Sequence, residues 1–136
     1  MGDMNTATEY LKAFDQALGG NPRAPFVTRY DETEIIGRGL TPIVFGRTGC
    51  LVIRHDDGRV ECAGLFSDGP KGSGLALLDY VIEHYGVNYV ECFEPLNGLY
   101  ASLGFELVRR SPWNPDYAPG DWSADLGTPD YCEMVA

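Results

Sequence analysis

Basic residues are scarce in this chain: ten Lys and Arg face twenty Asp and Glu, a formal charge of −10. An excess of that sign repels phosphate backbones over the distances at which electrostatic steering acts, so nucleic acid is not an expected partner. Long apolar runs are missing as well; none approaches the ~20 residues that a membrane-spanning helix needs, and no membrane partner is expected. The opening stretch from Met1 to Gln16 mixes acidic, polar and apolar residues and lacks the basic flank and apolar centre of a secretory signal, which makes the cytoplasm the expected location. Cys50, Cys62, Cys92 and Cys132 form no C-x-x-C pair, and no His stands at zinc-finger spacing, so no metal site is expected. Any tight turn drawn from Asp56, Asp57 and Gly58 leaves Cys50 and Cys62 on non-opposed rungs, and four reduced, mostly buried thiols follow.

What is present suits one globular domain spanning residues 1–136. Hydrophobic residues make up 44% of the chain, too many for a disordered segment, and its length falls in the range of ~100 to 150 residues that single domains favour. Internal repeats, low-complexity runs and dividing linkers are not found. Residues Thr6 to Leu18 place Tyr10, Leu11, Phe14, Ala17 and Leu18 at helical spacing, with Thr6 and Glu9 as a capping box and Gly19-Gly20 as the stop. Asn21 to Thr41 reads as loop with one strand at Phe26 to Arg29. Ile43 to Phe45, Cys50 to Ile53 and Val60 to Phe66 then read as an antiparallel meander, turning at Gly46 to Gly49 and at Asp56-Asp57-Gly58.

Leu75, Leu78, Ile82 and Tyr85 mark the clearest helix, closed by Gly86. A strand at Val87 to Phe93, a short helix at Leu96 to Leu103 ended by Gly104, and a strand at Phe105 to Arg109 follow. Ser111 to Pro129 is a loop longer than the ~12 to 15 residues usually left without structure. It holds Trp113, Tyr117 and Trp122 among Asp116, Asp121 and Asp125, a mixture that either frames a cationic amine or pins the loop to the sheet. Tyr131 to Val135 closes the chain as a last strand. This order indicates a mixed α/β layer domain with helices on a mostly antiparallel sheet.

The most informative junction runs from the strand Val60 to Phe66 through Ser67-Asp68-Gly69-Pro70-Lys71-Gly72-Ser73-Gly74 into the helix near Leu75. A glycine-rich strand-to-helix turn exposes backbone N–H groups at the positive end of the helix dipole, an arrangement that suits a pyrophosphate but also merely starts a helix. Gly72 and Gly74 remove Cβ atoms from a ligand's path, and Lys71 adds a mobile charge. The loop matches neither the P-loop pattern nor the dinucleotide fingerprint.

Gly72-Ser73-Gly74-Leu75, followed by Leu99-Tyr100-Ala101-Ser102-Leu103-Gly104-Phe105-Glu106-Leu107-Val108, resembles the GNAT acetyltransferase superfamily over about Val60 to Val108. The segment Pro112 to Trp122 also resembles GNAT-like domains of phage-encoded proteins. The resemblance implies a mixed, mostly antiparallel sheet with helices on both faces, and acetyl-CoA as co-substrate. It implies that Leu65, Phe66 and Ser67 pair with the pantetheine arm and that the amides of Lys71, Gly72, Ser73, Gly74 and Leu75 hold the pyrophosphate. Tyr100 matches the family tyrosine that protonates the leaving thiolate; it equally suits a core position beside Leu96 and Leu103. A carboxylate or water must take a proton from the amine. Glu61, Glu91 and Glu94 lie on or near the flanking strands, and Glu94, next to Pro95, is the first choice. His55 and His84 are assigned no role.

The expected activity is therefore transfer of an acetyl group to a primary amine, the acceptor being an amine-bearing small molecule or protein, with a homodimer as a compatible assembly. Two other readings compete. Gly69 stands where the family carries Gln or Arg, and Pro70 removes an N–H donor, which motivates a catalytically degenerate interaction or inhibitor module. The charge of −10 alone motivates an acidic mimic of DNA.

Overall fold

The structure is a computed structural model that describes residues 6–21, 24, 27–117, 122 and 126–136. Its centre is a six-stranded sheet built from β1 (Thr41–Phe45), β2 (Thr48–Arg54), β3 (Val60–Ser67), β4 (Tyr89–Phe93), β5 (Glu106–Ser111) and β6 (Tyr131–Val135), in the order β1-β2-β3-β4-β6-β5. Every neighbouring pair is antiparallel except β3 and β4. A parallel pair needs a crossover, and α3 (Ser73–Tyr85) supplies it. Helices α1 (Ala7–Leu18) and α2 (Glu32–Gly37) cover one face of the sheet, and α3 with α4 (Asn97–Ala101) covers the other.

The first helix forms as its sequence indicates. Thr6 Oγ1 accepts from the Glu9 amide and Glu9 returns the bond to the Thr6 amide, closing the capping box. Tyr10, Phe14 and Leu18 bury the same stripe. A Cβ at Gly19 would sit 2.6 Å from the Asp15 carbonyl oxygen, so glycine suits the stop. A second capping box, Asp31 with Glu34, nucleates α2 and buries Ile35 where the sequence reading has only loop. Val27 to Arg29 form no strand, and Phe26 of the expected strand lies outside the described residues.

α3 starts two residues earlier than Leu75 and ends on Gly86, whose φ of 71° lets its amide reach the Ile82 carbonyl. Its buried residues are Leu77, Leu78 and Val81, while Leu75, Ile82 and Tyr85 are only half-buried. The apolar stripe is thus rotated from the expected one, because α3 faces both β2 and β3. All four cysteines are free and buried, and all lie on the α3 side of the sheet. The predicted turn at Gly46 to Gly49 is shorter than expected: β2 begins at Thr48 and is buried from there to Ile53.

Candidate active site

Between β3 and β4 the sheet comes apart. The two strands share one register pair, Glu61 with Tyr89, next to a hydrogen bond from the Asn88 amide to the Val60 carbonyl at 2.9 Å. Beyond that rung they diverge around an open cleft. Glu61 to Leu65 form one wall and Glu91 with Cys92 the other, and Tyr30, Tyr100 and Tyr131 project into it from three further segments.

The uncapped end of α3 adjoins this cleft through the loop that follows β3. Gly72, at φ 91°, is the N-cap residue and offers no side chain to the first turn. The Ser73 amide and hydroxyl both donate to the Pro70 carbonyl, at 3.0 and 2.6 Å, so that amide is already engaged in the turn. Among the described residues, the amides of Lys71, Gly72, Gly74 and Leu75 have no acceptor. Four of the five amides singled out from sequence are therefore free together around the positive end of a helix dipole. Arg47, from the β1–β2 turn, reaches the same loop and holds Asp68 at 2.6 Å, so a cation stands beside Gly69 even though position 69 itself carries none.

Strand alternation sets the chemistry of the walls. Residues one apart on a strand face opposite sides, so Glu61 and Glu91 point away from the α3 core that their neighbours Cys62 and Cys92 help to build. Glu61 is 7% exposed, and its burial raises the carboxyl above the usual carboxylate range, opposed by a 2.8 Å contact from His55 Nε2. Glu91 stands directly across from Glu133 on β6, a like-charge pairing that costs stability unless it is relieved. The relief is visible: the buried Tyr89 hydroxyl sits between the two carboxylates, 2.6 Å from Glu91 and 2.7 Å from Glu133, and Arg109 approaches Glu133 at 3.4 Å. Burial first, and the two carboxylates after it, push the Tyr89 phenol well up.

Tyr100 is 5% exposed, and among the described residues its hydroxyl has no hydrogen-bond partner. Burial, reinforced by the Cys62, Cys92 and Cys50 thiols, raises it well above the usual phenol value. It remains protonated at any working pH and able to donate. Its ring packs in the core against Phe105, and the residue also lines the cleft. Cys62 and Cys92 also line the cleft, but a hydrogen bond with Cys50 and burial push the first thiol far up, and burial pushes the second up to about 12. Neither is a thiolate near neutrality, which leaves no cysteine nucleophile there.

Glu94, the carboxylate favoured from sequence, is drawn elsewhere: Arg110 holds it at 2.7 Å, and it is not part of the cleft wall. Two of the long-loop aromatics, Trp113 and Trp122, likewise pack outside the cleft. Trp113 and Trp122 stack at 4.7 Å and rest on Phe93 at the end of β4, with Trp122 Nε1 donating to the Gly127 carbonyl at 3.0 Å. That contact pins the loop to the sheet. Asp121 and Asp125 lie outside the described residues. Tyr30 and Tyr131, two cleft residues that the sequence reading did not single out, carry no local signal; one follows a loop, the other opens a strand.

No family model matches this sequence, and no curated protein matches it. Solved structures do. A ribosomal-protein-S18-alanine N-acetyltransferase from Escherichia coli, 19% identical, superposes with a TM-score of 0.64 over 96% of this chain and 88% of its own. A ribosomal-protein-alanine N-acetyltransferase from Brucella melitensis, 13% identical, gives 0.63 over 98% and 96%. A phosphinothricin acetyltransferase of the GNAT superfamily from Sinorhizobium meliloti, in complex with AcCoA and 17% identical, gives 0.62 over 98% and 85%. Likeness at such low identity speaks for architecture, and the architecture of this chain, from α1 through the parted strands to β6, is the GNAT acetyltransferase fold.

Proposed function

We propose that this chain is an N-acetyltransferase that takes its acetyl group from acetyl-CoA and delivers it to a primary amine. The observation that carries this reading is the parting of β3 and β4 beside the uncapped N-terminus of α3. An acyl thioester joined to a diphosphate requires both an anion seat and a slot that reaches the reacting carbonyl, and the two adjoin here. Backbone groups of Leu65, Phe66 and Ser67, on the open edge of β3, pair with the pantetheine arm as an added strand would. The free amides between Lys71 and Leu75 receive the diphosphate. Fold neighbours in complex with CoA or AcCoA support the choice of co-substrate.

In the transfer, the neutral amine attacks the thioester carbonyl carbon; a C–N bond forms and the C–S bond breaks. The proton leaving nitrogen passes to a carboxylate in the cleft wall, and we assign that task to Glu61 in place of Glu94, since Glu61 lines the cleft and its raised carboxyl brings its proton affinity closer to that of an amine. The departing thiolate takes its proton from the Tyr100 hydroxyl. The acceptor is an amine-bearing small molecule or protein.

Calorimetric titration with acetyl-CoA tests the reading. Gly74 is the informative position: its Cβ would meet only Ser67 Cβ, at an ordinary 3.6 Å, and an acid in the first turn of a helix favours folding. Gly74→Glu is expected to keep the protein folded while weakening acetyl-CoA by on the order of 100-fold, because its carboxylate occupies the anion seat. Absence of binding to the unaltered protein at millimolar acetyl-CoA would return the chain to the non-catalytic interaction module.

A further inference from the structure

Within β3 one residue departs from strand geometry. Gly64 has φ +56°, and the register of β3 against β2 slips at this point, between Gly49 and Leu51. A left-handed glycine at a register slip is a β-bulge, which bends its strand and re-aims the backbone around it. The Gly64 carbonyl accepts a 2.5 Å hydrogen bond from the Tyr10 hydroxyl, which arrives from α1. Tyr10 is wholly buried, and its ring packs on Phe14 and Phe66 with centroids 5.9 and 5.5 Å away. A Cβ at position 64 would collide with the Tyr10 hydroxyl oxygen, so the two residues occupy one another's space closely.

The bulge forms part of the cleft wall, since Gly64 and Leu65 both line it opposite Glu91 and Cys92. A trans peptide sets its N–H antiparallel to its C=O, so holding the Gly64 carbonyl toward α1 also fixes the direction of the Leu65 N–H. We propose that Tyr10 is a positioning residue: its hydroxyl anchors the β3 bulge in the orientation that acyl transfer requires, and thereby couples the N-terminal helix to the reacting centre. The proposal rests on the acetyltransferase reading of the cleft. Tyr10 touches neither substrate; it acts through the Gly64 peptide. Without the hydroxyl, a buried carbonyl loses its partner and the glycine backbone is free to turn toward other conformations.

Tyr10→Phe keeps the ring and removes the anchor. With acetyl-CoA and a primary amine as substrates, kcat is expected to fall about 10- to 100-fold, the scale set by an ångström of misplacement, while the dissociation constant of acetyl-CoA shifts less than about threefold. A purely structural role would move the melting temperature and leave kcat per folded molecule intact, and that outcome would overturn the proposal. Gly64→Ala, which forces the hydroxyl away from the carbonyl, is the second variant; unchanged kcat there overturns it equally. If the unaltered protein neither binds acetyl-CoA nor transfers acetyl, the acetyltransferase reading has failed separately. The anchor is then read from the Leu65 amide resonance: a changed shift and faster exchange in Tyr10→Phe uphold it, and an unmoved resonance refutes it.

Discussion

The two sides of the sheet use the same strands for opposite purposes. Toward α3, Cys62, Val90, Cys92, Cys132 and Met134 join Leu77, Leu78 and Val81 in an apolar layer. On the other side the neighbouring positions carry Glu61, Tyr89, Glu91 and Glu133, set in hydrogen bonds and ion pairs around a cleft. Alternation along a strand makes the division possible: moving one residue exchanges a thiol in the core for a carboxylate at the site. The difference teaches that the apolar core and the carboxylates around the cleft are separable, residue by residue, over the middle of β3, β4 and β6.

The largest expected effect comes from the apolar side. Leu78 is fully buried, and Leu78→Ala should cost about 2 to 5 kcal/mol of stability by urea unfolding while acetyl-CoA affinity per folded molecule stays the same. A loss of affinity larger than the loss of folded protein would break the separation. The opposite result is expected on the open side, where Glu61→Gln should lower kcat by on the order of 100-fold. Burial raises the Glu61 carboxyl, with Glu91 adding to the shift and His55 and Arg59 opposing it. The kcat of the unaltered protein should therefore climb with pH through an inflection above the usual Glu value of ~4.3, and that limb should vanish in the Gln variant.

Stability should run the other way with pH. A carboxyl whose folded value is raised contributes stability below its unfolded value and loses that contribution as pH rises through the folded one. Glu61→Gln should then be no less stable than the parent at neutral pH, checked by thermal unfolding at pH 5 and pH 7.5, and a marked loss at neutral pH would show that the His55 contact outweighs burial. The smallest effect belongs to Arg47→Ala. Its pair with Asp68 leaves Arg47 73% exposed, so unfolding should shift by no more than ~0.5 kcal/mol, while acetyl-CoA binding weakens about threefold in a salt-dependent way.

Much of the fold could be read from residue spacing. Thr6 and Glu9 mark α1, Gly86 closes α3, and Tyr131 to Val135 forms β6 with the expected bounds. These are signals carried by residues a few positions apart. α2 was legible too, since Asp31 and Glu34 have the same capping spacing as Thr6 and Glu9, but its single buried residue, Ile35, gives no periodicity to support it. Of the candidate site, the glycine-rich loop ahead of α3 and the cleft-lining Tyr100 could be picked out along the chain. Which of Glu61, Glu91 and Glu94 lines the cleft could not, because the partner that holds Glu94, Arg110, lies 16 residues downstream of it.

The sequence by itself determined the layer architecture, the glycine-rich turn into α3 and the supply of carboxylates near it, because each follows from local spacing, backbone freedom and charge. Only the tertiary structure decided that β3 and β4 part after one rung, that Tyr30, Tyr100 and Tyr131 meet in the gap, and that Tyr10 reaches Gly64 across 54 positions of chain. Those contacts join segments remote in sequence, and they are set by how the whole sheet packs between its helices, which no stretch of the chain encodes alone.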